Sequence, residues 1–290
     1  MRRRRLAAQC ALAAVVTMGG VAALGQDAMM AMSGMAAPPQ DWAKARLEQS
    51  PRHQEWVDIK YGNRTLHAYV VYPEVSRKAP AVLVIHEIFG LTDWAREAAD
   101  EIAAAGYVAI VPDLLSGEKP DGSTATKDGF SAFPSQQDAM KAVSGLNPDQ
   151  VTADLNAAAD YVKKLPAVNG TLAVAGFCWG GGQSFRFATN RHDLSAAFVF
   201  YGPAPDNLGA ITAPVYGFYA GNDARITATV PDTKAAMEKA GKKYEAVVYE
   251  GAGHGFMRAG EDPTKTSDNE ANVKARTEAW ARFKTLLKGL

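Results

Sequence analysis

Cysteine is nearly absent from this 290-residue chain, which has only Cys10 and Cys178. That scarcity excludes a disulfide framework. No charge excess exists either, with 31 Lys and Arg against 31 Asp and Glu. A nucleic-acid binder would carry a basic surplus or stripe, so no nucleic-acid partner is expected. Apart from the N-terminal segment, no hydrophobic run is long enough to cross a bilayer. No internal repeat is visible. What remains is an ordinary globular composition, 47% hydrophobic and 21% charged, which rules out disorder and collagen. A chain of this size buries roughly three quarters of its unfolded surface and needs no metal staple to fold.

The even charge balance hides an asymmetry. Arg2 to Arg5 open the chain, a largely apolar stretch runs from Leu6 to Leu24, and small residues follow. A basic, then apolar, then small-residue sequence is a secretory signal. Residues 1–25 are therefore expected to direct export to the periplasm or beyond, with cleavage near Ala23-Leu24-Gly25. An uncleaved membrane anchor is the alternative; Gly19 and Gly20 inside the stretch weigh against it. The rest of a twin-arginine pattern is missing, and Gln9 before Cys10 does not suit a lipoprotein. Residues 26–50, rich in Met, Ala and Pro, are read as a flexible tether. Met29, Met30, Met32 and Met35 could bind a soft ion such as Cu(I), but a thioether-containing linker is the simpler reading. Residues 51–290 then form one domain.

In that domain short apolar runs alternate with helical patterns. Val57-Asp58-Ile59 and Leu66 to Tyr72 read as two strands around an Asn63-Arg64 turn. Continuous apolar runs at Ala81–Ile85, Tyr107–Val111, Leu172–Ala175, Ala196–Phe200 and Val215–Tyr219 mark strands covered on both faces. Tyr244–Tyr249 adds one more. Helices are expected at Asp93–Ala105, Val151–Leu165, Gly180–Asn190, Val230–Ala240 and Asn272–Leu287. This alternation predicts an α/β fold, a mostly parallel central sheet with helices on both faces. Asp113–Asn147 is long for a loop and is a candidate lid.

The chemistry concentrates at Gly176-Phe177-Cys178-Trp179-Gly180, between a buried strand and a helix. This G-x-C-x-G has the form of the nucleophile elbow of α/β-hydrolases. The glycines make room for a tight turn. The helix N-terminus then favours a thiolate and a developing oxyanion. The alternative for Cys178 is an inert buried thiol.

A nucleophile needs a base, and the base an orienter. His254 lies in a Gly-rich loop directly after a strand, whereas His192 reads as a surface or helix-end residue. Asp223 directly follows a strand, while Asp206 and Asp232 do not; a simple helix cap is the other role for Asp223. The loop His86-Glu87-Ile88-Phe89-Gly90 follows the first buried strand, where hydrolases take their second oxyanion donor. The amides of Ile88 and Trp179 are the candidate donors. Glu87 is unusual beside such a hole and makes sense if it takes the thiol proton when substrate arrives; a solvated loop acid is the alternative.

Together, His86-Glu87-Ile88-Phe89-Gly90, Gly176-Phe177-Cys178-Trp179-Gly180-Gly181, Gly221-Asn222-Asp223 and Gly253-His254-Gly255-Phe256-Met257-Arg258 resemble the dienelactone hydrolase (carboxymethylenebutenolidase) family from about Trp56 to Leu287. The resemblance implies an α/β-hydrolase fold and a triad of Cys178, His254 and Asp223. It implies hydrolysis of enol-lactones or other small esters without metal or cofactor. Glu87 resembles the carboxylate that holds or accepts the thiol proton, and Arg258 an arginine that binds the substrate carboxylate. Tyr201, in Phe200-Tyr201-Gly202, stands where the family has a tyrosine pair, and is a candidate substrate contact. Pro112-Asp113-Leu114 lacks the arginine that follows it in the type members. The expected partner is thus a small-molecule ester or lactone, taken by a monomer with no membrane contact beyond its export signal. A thiol redox or small-molecule-binding protein on the same fold is the rival reading.

Overall fold

The computed structural model describes residues 40–118, 133–264 and 269–290. The expected signal, the methionine group and much of the candidate lid lie outside these residues. In chain order the elements are α1 (Asp41–Gln49), β1 (Gln54–Tyr61), β2 (Arg64–Val71), β3 (Ala79–Ile85), α2 (Asp93–Ala104), β4 (Val108–Pro112), α3 (Gln136–Ser144), α4 (Pro148–Lys164), β5 (Val168–Phe177), α5 (Trp179–Asn190), β6 (Ala196–Phe200), β7 (Val215–Ala220), α6 (Ala224–Thr227), α7 (Val230–Lys239), β8 (Tyr244–Tyr249), α8 (Phe256–Ala259) and α9 (Glu270–Leu287). One 8-stranded sheet has the order β1-β2-β4-β3-β5-β6-β7-β8. The hairpin β1–β2 and the β2–β4 pair are antiparallel. All other pairs are parallel. All eight expected strands are present, and the fold is that of an α/β-hydrolase.

Side-chain alternation along the parallel strands explains the two covered faces. Leu83, Ile85 and Val174 share one core with Val151, Leu155 and Val162 of α4 and Phe185 of α5. On the opposite face Phe177 meets Trp94 of α2 edge-on, with ring centroids 5.1 Å apart. Phe283 of α9 meets Phe198 and Phe200 in the same manner, at 4.7 and 5.5 Å. Each such buried aromatic contributes on the order of 1.5–3 kcal/mol by leaving water. Local chemistry sets the helix starts. Asn147 accepts from the Asp149 amide at 2.8 Å, with Pro148 next, a cap followed by the residue best suited to a first helical position.

The flexible tether expected over residues 26–50 ends earlier than its composition suggests: Asp41–Gln49 is helical, with Ala43 and Leu47 buried. Tertiary ties hold this segment: Gln40 Oε1 accepts the Trp94 amide at 2.9 Å, and Arg46 reaches Glu261 at 2.6 Å. A second helix, α3, sits inside the candidate lid, started by Ser135, whose hydroxyl accepts the Asp138 amide at 3.2 Å.

β3 leads to β4 on one side of it and to β5 on the other, so the strand order reverses there. Ligands of open α/β sheets bind at the carboxyl ends of strands beside such a switch point. Because β3, β5, β6, β7 and β8 run parallel, the loops after all five emerge at one rim.

Candidate active site

The candidate side chains follow the ends of five parallel strands. Glu87 and Ile88 follow β3, Cys178 follows β5, Tyr201 follows β6, Asp223 follows β7, and His254 and Arg258 follow β8. The elbow between β5 and α5 is so tight that side chains are excluded. A Cβ on Gly176 would lie 1.9 Å from the Gly180 carbonyl oxygen, and one on Gly180 2.3 Å from that of His86. Cys178 itself has φ 57°, outside the range comfortable for an L-residue. Such a conformation costs about 1–3 kcal/mol and persists only where its surroundings impose it. Here the Cys178 amide donates to the Phe200 carbonyl at 3.0 Å, and the Cys178 carbonyl accepts Gly181 N–H at 2.9 Å.

The elbow presents the sulfur to His254. Cys178 Sγ lies 3.0 Å from His254 Nε2, and His254 Nδ1 lies 2.5 Å from Asp223 Oδ2. The three residues, 76 and 31 positions apart in sequence, form one hydrogen-bonded line. Asp223 begins the short α6, but its carboxylate makes no cap bond there, so the helix-cap role does not apply. Asp206, Asp232 and His192 are exposed. Burial pulls the imidazole of His254 down, but the hydrogen bonds and charges of Asp223 and Cys178 outweigh it and raise His254 to about 10. Cys178 as a whole is buried, at 4% exposure.

Glu87 and Arg258 also meet, but with each other. Arg258 Nε donates to Glu87 Oε2 at 2.8 Å, and both are buried. Glu87 makes no hydrogen bond with the sulfur among the described residues; the guanidinium holds it. Burial opposes the Arg258 charge, and Glu87 restores it, keeping Arg258 above its ordinary value. A buried pair of this kind is costly to break, because the survivor is left uncompensated. Arg258 also lies over the Phe89 ring, 5.2 Å from its centroid.

Tyr201 is fully buried, with φ 41°. Its ring stands edge-on to His254, centroids 5.1 Å apart. Burial, and then the charges of Glu87 and Cys178, hold its phenol well above the usual value. Neither the Ile88 nor the Trp179 amide donates to a backbone carbonyl among the described residues. Both remain available to an anion, and Trp179 does so as the first residue of α5.

One residue of this rim was not expected to matter. His86 is fully buried, its Nδ1 lies 2.7 Å from the Glu87 carbonyl oxygen, and its ring stacks on Trp179. The signal was in the sequence: an imidazole directly ending an apolar strand. Among the described residues, the carboxylates close enough to share an ion are those of Glu97, Glu101 and Glu261. Arg46 and Arg276 already occupy that cluster, with Arg276 Nη2 2.5 Å from Glu101 and 2.7 Å from Glu261.

Comparison with known proteins agrees with this architecture. The model of the dienelactone hydrolase family matches residues 66–290. A curated relative named "Putative carboxymethylenebutenolidase" from Methylorubrum extorquens is 30% identical over 240 residues, covering 78% of this chain and 79% of its own. A "Probable 2-oxo-3-(5-oxofuran-2-ylidene)propanoate lactonase" from Bradyrhizobium is 30% identical over 218 residues, 70% of this chain and 83% of its own. The crystal structure titled as a putative dienelactone hydrolase from Klebsiella pneumoniae superposes with a TM-score of 0.69 and 26% identity, covering 82% of this chain and 99% of that one. By fold and by these matches, the chain is a hydrolase and belongs to the dienelactone hydrolase family.

Proposed function

We propose that this hydrolase cleaves a small ester or lactone through a thioester acyl-enzyme on Cys178. The observation that carries the reading is the line Sγ–Nε2–Nδ1–Oδ2, with gaps of 3.0 and 2.5 Å. An imidazolium next to the sulfur stabilises the thiolate that attack requires. Sγ forms a bond to the carbonyl carbon, and the carbonyl oxygen becomes an oxyanion facing the Ile88 and Trp179 amides. Each preorganised donor of that kind is worth roughly 3–4 kcal/mol. The C–O bond to the leaving group then breaks, and His254 hands its proton to the departing oxygen. In the second half His254 takes a proton from water. The hydroxide adds to the thioester carbon, the C–S bond breaks, and the acid leaves with the thiolate regenerated. Asp223 fixes the imidazole tautomer and orientation throughout. Arg258, held ready by Glu87 beside Tyr201, is suited to a carboxylate on the substrate.

Export follows from the N-terminal composition, and we extend the proposal to a periplasmic or secreted enzyme that acts as a monomer. N-terminal sequencing of the extracytoplasmic fraction should give a chain starting near Gln26, and an intact Met1 terminus would refute cleavage. The mechanism is tested by screening lactones and short-chain esters with the purified protein and its Cys178→Ala variant. A burst of about one product per chain from an activated ester is expected for the wild type. Turnover should fall by at least about 10⁴-fold in the variant. Turnover retained in Cys178→Ala would remove the sulfur from the chemistry.

A further inference from the structure

The mechanism above gives no role to the buried imidazole of His86. His86 directly follows β3, is 0% exposed, and lies against both halves of the proposed oxyanion hole. Its Nδ1 lies 2.7 Å from the carbonyl oxygen of Glu87. That carbonyl and the Ile88 N–H belong to a single planar peptide unit, so fixing one fixes the direction of the other. On its other side the imidazole ring lies nearly parallel to the Trp179 indole, centroids 5.7 Å apart and planes 15° apart. Trp179 carries the second donor.

We propose that His86 is a positioning residue for acyl transfer: as a neutral imidazole protonated on Nδ1, it holds the Glu87–Ile88 peptide so that the Ile88 N–H aims at the oxyanion. The proposal rests on the hydrolytic reading of the site. A carbonyl oxygen only accepts, so the 2.7 Å contact requires the proton on Nδ1. Nε2 then carries a lone pair, and it has no hydrogen-bond partner among the described residues. Burial holds the ring neutral, lowering it to about 4 despite its backbone hydrogen bonds. The same Glu87 oxygen also accepts Gly90 N–H at 3.1 Å. With two donors on it, this carbonyl has little freedom to rotate. Donation to a carbonyl also polarises its peptide, strengthening the N–H at the opposite end. The backbone around His86 is equally constrained, since its own carbonyl abuts Gly180 closely enough to exclude a Cβ there.

His86→Phe keeps a flat ring against Trp179 and deletes the donor. His86→Asn loses the ring and keeps a side-chain N–H near the Nδ1 position. With an activated ester, kcat should fall about 10- to 100-fold in His86→Phe, short of the loss of a whole oxyanion donor, while KM stays within about twofold. His86→Asn should recover most of that loss. Alkylation of Cys178 by iodoacetamide, which displaces iodide and builds no oxyanion, should keep its wild-type rate in both. A purely structural role would lower alkylation and turnover together, in both variants, and that result overturns the proposal; so does a kcat in His86→Phe within about twofold of wild type. Should the Phe variant not fold, nitrogen-15 spectra of the wild-type imidazoles at pH 7 decide the matter. A His86 proton on Nδ1 is expected, and one on Nε2 overturns the assignment. Cys178→Ala run alongside separates the two failures. Turnover surviving in it defeats the Cys178 acyl-enzyme reading, and this inference with it. Its loss with an unaffected His86→Phe defeats this inference alone.

Discussion

Two clusters of interlocked charge stand out among the described residues, and only one is arranged for chemistry. At the rim, Asp223, His254, Glu87 and Arg258 surround a sulfur carried on strained backbone. Under α1, α2 and α9, Glu97, Glu101 and Glu261 interlock with Arg46 and Arg276. Both clusters contain groups far from their ordinary protonation behaviour: His254 is raised to about 10, and Glu97 is raised to about 9. Perturbed ionisation alone therefore does not locate a site. Three further properties separate the rim: its groups converge from the carboxyl ends of parallel strands, two of its non-glycine residues hold positive φ, and two amides there have no backbone acceptor among the described residues. The helix cluster has no nucleophile, and its charges join segments distant in sequence.

The sharpest way to break this comparison is Asp223→Asn. The amide leaves the geometry nearly intact but favours the wrong imidazole tautomer, and kcat should drop by about 10⁴-fold. The same variant has a stability signature. The folded value of His254 lies above its ordinary 6.5, so its contribution is complete below pH 6.5 and is lost as pH rises through about 10. Wild-type stability should decline across that window in urea titrations, and Asp223→Asn should flatten the decline. An equal slope in both proteins would mean that Asp223 does not hold the imidazolium.

Next in size is the removal of one arginine from each cluster. Arg258→Met strands the buried Glu87 carboxylate, and Arg276→Met strands Glu101 and Glu261. Breaking a buried pair from one side costs about 3–5 kcal/mol, so Arg258→Met should lose about that much stability in denaturant, and Arg276→Met less, because Arg276 and Glu101 are only half-buried. Turnover divides them: Arg258→Met should raise KM for substrates bearing a carboxylate, and Arg276→Met should leave KM and kcat unchanged in the folded fraction. Adding Glu87→Gln to Arg258→Met should return part of the stability and none of the affinity. If Arg276→Met also changes KM, the separation drawn between the clusters fails.

Legibility in the sequence followed the same divide. The strands could be read because residues such as Ala81–Ile85 and Ala196–Phe200 are apolar without interruption, as burial on both faces demands. The convergence of Cys178, His254 and Asp223 could be anticipated because each follows a strand of one parallel sheet. The partner of Glu87 could not, since Arg258 is 171 residues away and the pairing depends on how two loops pack. Helix α1 was hidden for a similar reason. Ala43 and Leu47 supply one apolar edge, and the helix is secured by Trp94, Glu97 and Glu261, none of them nearby in sequence. The role of His86 lay in three dimensions as well, in a peptide plane and a stacked ring.

The smallest predicted effect is also the one that best characterises the helix cluster. Glu97 is raised chiefly by burial and then by the neighbouring charges of Glu261 and Glu101, against the pull of Arg46 and Arg276. Its Oε2 has no hydrogen-bond partner among the described residues, so no donor compensates a negative charge on that oxygen. Glutamine reproduces that neutral form and places an N–H where the acid has its O–H. At pH 5, then, Glu97→Gln should stay within about 1 kcal/mol of wild type. The sign of the pH dependence follows from the raised value. The folded protein holds a proton that the unfolded chain releases above 4.5, so the wild type loses this stabilisation as pH rises from about 4.5 toward 9. The amide has no proton to lose, and Glu97→Gln should gain on the wild type steadily across that window, with no change in turnover. A loss of more than about 3 kcal/mol at pH 5 would instead identify Glu97 as a charged partner of Arg46. The helix cluster would then be an ion pair network of the same kind as the rim, distinguished from it only by lacking a sulfur.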